Sequence, residues 1–271
     1  MIKLILAIAT VIIFRLFYFN TSSSYSGVPI LIKFYYNRFK NRFNQAPGKK
    51  LPGISQVYVI SMPQRKDYIK AQMDTLGYNV CYFDAIKPSD LSRDDYDILS
   101  KINEPGSRIY NRFTRLAVLM SFIMCFIDAL EKGYNTITIF EDDISINVEQ
   151  NVLENTTLEF NNSDLDIIYM GYCFLNCRQN TKKYNYLVKL EYPDLLCCHA
   201  ICLRTCILPG LINYCFPMIN NSDEMFRDYY MKEELKIGVP KYAYFSQNRK
   251  AVDSLNESVE DLELFNTCKF K

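Results

Sequence analysis

Glu141, Asp142 and Asp143 stand in a row at the end of a β-branched run, Ile137-Thr138-Ile139-Phe140. The run reads as a buried strand. Three adjacent carboxylates repel one another unless positive charge sits among them. Hard divalent cations such as Mg²⁺ and Mn²⁺ take oxygen ligands, often one or two carboxylates completed by substrate phosphates. Open α/β sheets bind ligands beyond their strand ends. The triplet therefore points to a metal–diphosphate site. The plainer alternative is an acidic turn that caps a strand or opens a helix.

Other chemistries have little to build on. His199 is the only histidine in 271 residues, so a Ser-His-Asp enzyme or a zinc protease would have to be assembled around one imidazole. The chain has no glycine-rich phosphate loop of the Walker or dinucleotide type. Its net charge of +1 argues against a general nucleic-acid binder. The ten cysteines match no zinc-ribbon spacing. Cys198, Cys202 and Cys206 step by four, as one helix face would, and core packing is their expected role. Cys173 and Cys177 are spaced for a disulfide in an oxidising compartment.

The elements that must position the carboxylates alternate. Val57–Met62 reads as a strand and Arg65–Leu76 as a helix closed by Gly77. Val80–Phe83 is a second strand, parallel to the first by the order strand, helix, strand. A long apolar helix over 115–132 ends at Gly133 and leads into strand 136–140. A helix over 148–160, a strand over 166–171, a strand turning into a helix over 195–214, a helix over 223–235 and a strand over 241–245 follow. The pattern is that of an α/β domain with a mostly parallel sheet flanked by helices, Rossmann-like in layout. With 49% hydrophobic residues, the chain has enough apolar side chains for a real core.

Ahead of this domain, assigned to 54–271, residues 2–19 form an apolar block just long enough to span a bilayer, interrupted by Arg15. Its aromatic end, Phe17, Tyr18 and Phe19, favours a signal-anchor over a cleaved signal peptide. Residues 1–20 are therefore expected to be the anchor, and 21–53 a stem or linker with a Pro/Gly end. The basic-aromatic segment 33–43 suits either a membrane surface or a short ordinary helix. Basic residues after the block point to a cytoplasmic domain, whereas sequons at Asn20, Asn155, Asn161, Asn220 and Asn256 point to a lumenal one. The expected location is a single-pass membrane attachment with its facing side open.

Five separated segments, over about 57–255, resemble glycosyltransferase family 25, which includes lipooligosaccharide and procollagen galactosyltransferases. The family's opening Ile-Asn-Leu-x-Arg-Arg-x-Asp-Arg is similar to Ile60-Ser61-Met62-Pro63-Gln64-Arg65-Lys66-Asp67-Tyr68, with Arg65 and Asp67 matching and Ser61, Gln64 and Tyr68 departing. Its Ser-His helix opening and Leu-Glu-Asp-Asp strand end correspond to Ser121-Phe122 and Phe140-Glu141-Asp142-Asp143, with Phe122 in place of His. Cys198-His199-Ala200-Ile201, Asn221-Ser222-Asp223-Glu224, and Gln247 with Ser254 match the remaining pieces.

The resemblance implies an A-type glycosyltransferase fold, a nucleoside-diphosphate sugar donor, and Mn²⁺ or Mg²⁺. It implies transfer of a hexose, galactose or glucose, to a glycan or protein hydroxyl, with inversion. Metal ligands would come from Glu141, Asp142, Asp143 and His199. Arg65, Asp67, Ser121 and Gln247 would contact the donor. Asp223 or Glu224 would be the base that deprotonates the acceptor hydroxyl. The residues alone leave the alternatives of helix-start acids for Asp223 and Glu224 and a core imidazole for His199. The competing function is a non-catalytic relative serving as a binding or scaffold subunit. A metal-dependent phosphohydrolase is a third reading, but two-metal hydrolases need more His and Asp ligands than this chain offers.

Overall fold

The computed structural model describes residues 27–102, 109–172, 174–175, 180–191 and 195–248. Residues 2–19, the Cys173–Cys177 pairing and Ser254 lie outside them.

The central element is a nine-stranded mixed sheet in the order β1-β3-β2-β4-β11-β6-β12-β9-β8. Its parallel part is formed by β2 (Gln56–Ser61), β3 (Val80–Asp84) and β4 (Thr136–Glu141). Each of these is joined to the next through a helix, the crossover that parallel neighbours require. β11 (Ala200–Arg204) then inserts antiparallel between β4 and β6 (Ile167–Gly171), and β12 (Ile237–Pro240) resumes parallel pairing against β6. Three of the eight neighbour pairings are parallel, so the expected parallel character is confined to these two blocks. The antiparallel β1 (Phe43–Ala46), β8 (Asn180–Lys183) and β9 (Leu187–Leu190) complete the edges.

Alternation along the strands separates two cores. Tyr58, Ile60, Cys81, Phe83, Ile137 and Ile139 point to one face, and Val57, Val59, Val80, Tyr82 and Phe140 to the other. On the first face lie α1 (Ile30–Phe39) and α4 (Ile109–Glu131). The second face is covered by α2 (Lys66–Leu76) and α5 (Gln150–Asn162). α4 contains the one stretch among the described residues apolar and long enough to cross a membrane, Arg112–Glu131. Most of that stretch is buried in the domain, and a helix apolar all round belongs in a core. α2 ends where expected: Gly77 takes φ +65 and its N–H caps Met73 O.

The segment read as a stem joins the domain from residue 28 onward. α1 buries Leu31, Ile32, Tyr35, Tyr36 and Phe39, and β1 pairs with β3. The sequence signal is ambiguous because aromatic residues fall on both sides of α1, Phe34 outward and Tyr35, Tyr36 and Phe39 inward. Tertiary contacts resolve it: buried Asp128 of α4 accepts hydrogen bonds from the Tyr36 and Tyr58 hydroxyls and pairs with Lys132. The strand expected at 241–245 is displaced. Chain bends at 241–242 split it into β12 and the short β13 (Phe245–Gln247), which pairs with β5 (Ile144–Ile146). Cys198 and Cys202 are buried as expected, but not on one helix face: an irregularity at Ala200–Ile201 sets Cys198 in the first core and Cys202, on β11, in the second, and Cys206 is exposed.

Candidate active site

The C-terminal ends of β2, β3 and β4 lie level: Ile60 pairs with Glu141, and Ser61 with Asp84. A turn, Pro63–Arg65, leaves β2 and starts α2. It returns two donors to the carboxylates. Met62 N–H donates to Asp142 Oδ2 at 2.6 Å, and Arg65 Nη1 donates to Asp142 Oδ1 at 3.0 Å. Both side chains are buried, Arg65 at 9% exposure and Asp142 at 6%. Burial pushes the Asp142 carboxyl above its ordinary value; Met62 N–H and Arg65 pull it back, and Asp143 raises it further. Arg65 is thus the positive charge that the triplet required.

Gln247 joins the other two carboxylates. Its Nε2 lies 3.5 Å from Glu141 Oε2 and 3.4 Å from Asp143 Oδ2. These contacts are long, so the amide marks the point where two carboxylates converge more than it binds them tightly. The β5–β13 pairing sets Gln247 opposite Ile144. Asn248 N–H donates to Asp143 O, and the Asn248 amide donates to the Tyr68 hydroxyl, which donates to Ile144 O. Tyr68, a departure from the family pattern, therefore braces the turn that carries Asp143.

His199 sits directly behind the triplet. Its carbonyl accepts from Glu141 N–H at 2.9 Å. Its Nε2 is 3.2 Å from Phe245 O, and because a carbonyl only accepts, Nε2 carries the proton. The ring packs on Gly171, where an added Cβ would fall 2.3 Å from His199 Nε2 and 2.8 Å from Phe245 O. His199 thus ties β11, β6 and β13 together at the site.

Asp223 and Glu224 open α7 (Ser222–Lys232), both half-buried. Asp223 Oδ2 accepts from Cys197 N–H at 3.4 Å, and Glu224 Oε2 accepts from Asn221 Nδ2 at 3.3 Å. Cys197 is disulfide-bonded, its partner lying outside the described residues, and it holds a left-handed backbone, φ 68. Burial raises the neighbouring Cys198 thiol first, then the charges of Asp223 and Glu141. Those two acids, distant in sequence, are thus both close enough to act on one thiol.

Two candidates do not join the cluster. Asp67 is exposed on the first turn of α2, where a carboxylate complements the helix N-terminus. Ser121 is buried, donating to Ala117 O and accepting from Ile86 N–H. Phe122, in the family's His position, is buried against Phe126 and against Phe226 of α7. It is a core residue that seats the helix bearing Asp223 and Glu224.

A four-residue metal cage is not what forms. Among the described residues no three His, Cys, Asp or Glu side chains converge as a metal group. His199 Nε2 is turned to Phe245 O, and both Asp142 oxygens accept from Arg65 and Met62. Glu141 and Asp143 remain as the convergent pair, a donor set that fits a hard cation completed by phosphate oxygens. Residues that sequence reasoning missed are Tyr68, Gly171, Phe245 and Asn248. Gly171 alone carried a signal, as a glycine closing a buried strand.

A family model described as glycosyltransferase family 25 (LPS biosynthesis protein) matches residues 54–201. No curated protein matches the chain.

Proposed function

The chain belongs to glycosyltransferase family 25 and is a glycosyltransferase; on that premise we propose that it transfers a hexose from a nucleoside-diphosphate sugar to a glycan or protein hydroxyl, with a divalent metal and inversion. The observation that carries the reading is the convergence of Glu141 and Asp143 on Gln247 at the level strand ends.

Glu141 and Asp143 would hold Mn²⁺ or Mg²⁺, which supplies positive charge to the leaving diphosphate. Arg65 does not carry that charge alone, because Asp142 already engages it. The Arg65–Asp142 pair instead fixes the β2 turn against the triplet. Direct displacement at the sugar carbon needs the acceptor hydroxyl to lose its proton on the opposite side. Asp223 or Glu224, on a helix seated by Phe122 and Phe226, would take it. Residues 2–19 would hold the enzyme on a membrane.

Nucleotide sugars should be screened for donor hydrolysis with Mn²⁺, alongside thermal shifts with metal, nucleotide diphosphate, and both. Turnover of one donor and a shift that needs metal and nucleotide together are expected. Turnover and nucleotide stabilisation that are indifferent to metal would remove the metal from the reading.

A further inference from the structure

Charge is divided unevenly along the chain. The first acidic residue is Asp67; the 66 residues before it hold ten of the 31 Lys and Arg. The rest holds all 30 acids against 21 bases. Five of those ten pair with acids within the domain, Arg38, Arg42, Lys49, Arg65 and Lys66, and Lys33 and Lys40 are the bases beside the outer side of the helix that opens it; charge asymmetry of this kind suits an anionic partner. α1 lies in the basic part and is fixed to the domain by Tyr36 on Asp128, Tyr35 on Asp95, and Arg38 on Asp95. Its outward face is therefore a rigid feature.

That face is apolar at its centre. Ile30 and Phe34, one turn apart, are 39% and 61% exposed. Asn37, Lys40 and Asn41 continue the exposed side, with Lys33 at its edge. The acids near it are already opposed: Asp90 pairs with Arg42, Asp95 with Arg38, and Glu131 lies by Lys33. Seven residues, 20–26, separate the apolar block ending at Phe19 from Gly27. Fully extended they span at most about 25 Å, so a bilayer holding the block lies within that reach of α1.

We propose that the outer face of α1 rests on the anionic lipid surface of the membrane that holds residues 2–19, with Phe34 and Ile30 at the headgroup–acyl boundary. An exposed aromatic and aliphatic pair flanked by lysines is the composition of an interfacial helix. The contact would fix the domain's orientation to the bilayer rather than leave it on a loose stalk. The inference rests on the anchor reading of 2–19.

The chain contains no Trp, so a single introduced one reports its own surroundings. Full-length Phe34→Trp would be reconstituted with phosphatidylcholine vesicles containing about 30% phosphatidylserine, with or without brominated acyl chains. Leu158→Trp is the control: Leu158 is 40% exposed on α5, which packs on the opposite face of the sheet. Phe34→Trp emission should lie to the blue of Leu158→Trp emission on either vesicle, and bromination should quench Phe34→Trp about twofold and leave Leu158→Trp nearly unchanged. Ile30→Trp should repeat the Phe34 result. Co-flotation with equal quenching of Phe34→Trp and Leu158→Trp overturns the docking alone. Failure to co-float overturns the anchor reading and the docking together; the glycosyltransferase reading stands on its separate donor assay.

Discussion

Asp142→Asn tests the division of labour within the triplet. Both Asp142 oxygens accept, one from Arg65 at 3.0 Å and one from Met62 N–H at 2.6 Å. An Asn side chain has one acceptor, so its NH₂ must face a second donor. The buried guanidinium also loses its counter-charge. Removing one partner of a buried pair costs about 3–5 kcal/mol. The one hydrogen bond Asn keeps places the loss near the lower end, about 3 kcal/mol. For a chain of this size each kcal/mol lowers Tm by roughly 2–4 °C, so the variant should melt about 6–12 °C lower. Arg65→Met with Asp142→Leu removes both charges and should regain most of that loss. The assay is thermal melting by circular dichroism without metal or nucleotide, followed by melting with both. If Asp142→Asn melts with the wild type but loses its metal-dependent nucleotide shift, the ion pair is not structural. Asp142 would then be a metal ligand, and the assignment to Glu141 and Asp143 fails.

Gly171→Ala places a methyl against His199 Nε2 and Phe245 O; it should cost about 1–3 kcal/mol in urea unfolding, and an unchanged midpoint would refute the packing of His199 on Gly171. Asp223→Ala and Glu224→Ala, measured separately, should include one variant whose transfer rate falls roughly 10²–10⁴-fold with nucleotide affinity intact; two unchanged rates would return both to helix-start acids. Burial would raise Asp95, but hydrogen bonds from Tyr35, Ser92 and Arg38 outweigh it and hold the carboxyl below 3.8; at Asp90 burial is likewise outweighed by Arg42 and Lys87. Their stabilisation is complete above 3.8 and lost as pH falls through the lowered folded values. Amide exchange of α1 should accelerate before that of α4 in acid, and simultaneous loss of protection would contradict the assignment.

Local patterning determined the elements around the site before any contact was known. The β-branched run into Glu141–Asp143, the Gly77 cap and the apolar period of α4 are properties of neighbouring residues; the first two formed where those properties placed them, and α4 ends as read but begins six residues before Arg115, at Ile109. The resemblance carried by separated motifs likewise pointed to the family that matches residues 54–201. Pairing across the sheet was decided elsewhere. Nothing local to residues 200–204 says that β11 slips antiparallel between β4 and β6, yet that insertion sets His199 behind Glu141. Roles within the triplet were also undecided, because three adjacent acids look equivalent until Arg65 returns to one of them and Gln247 to the other two. Tertiary contacts also made Ser121 and Phe122 core residues and turned the supposed stem into a docked helix. A side chain's partners depend on residues tens of positions away, and that distance is what one sequence does not encode locally.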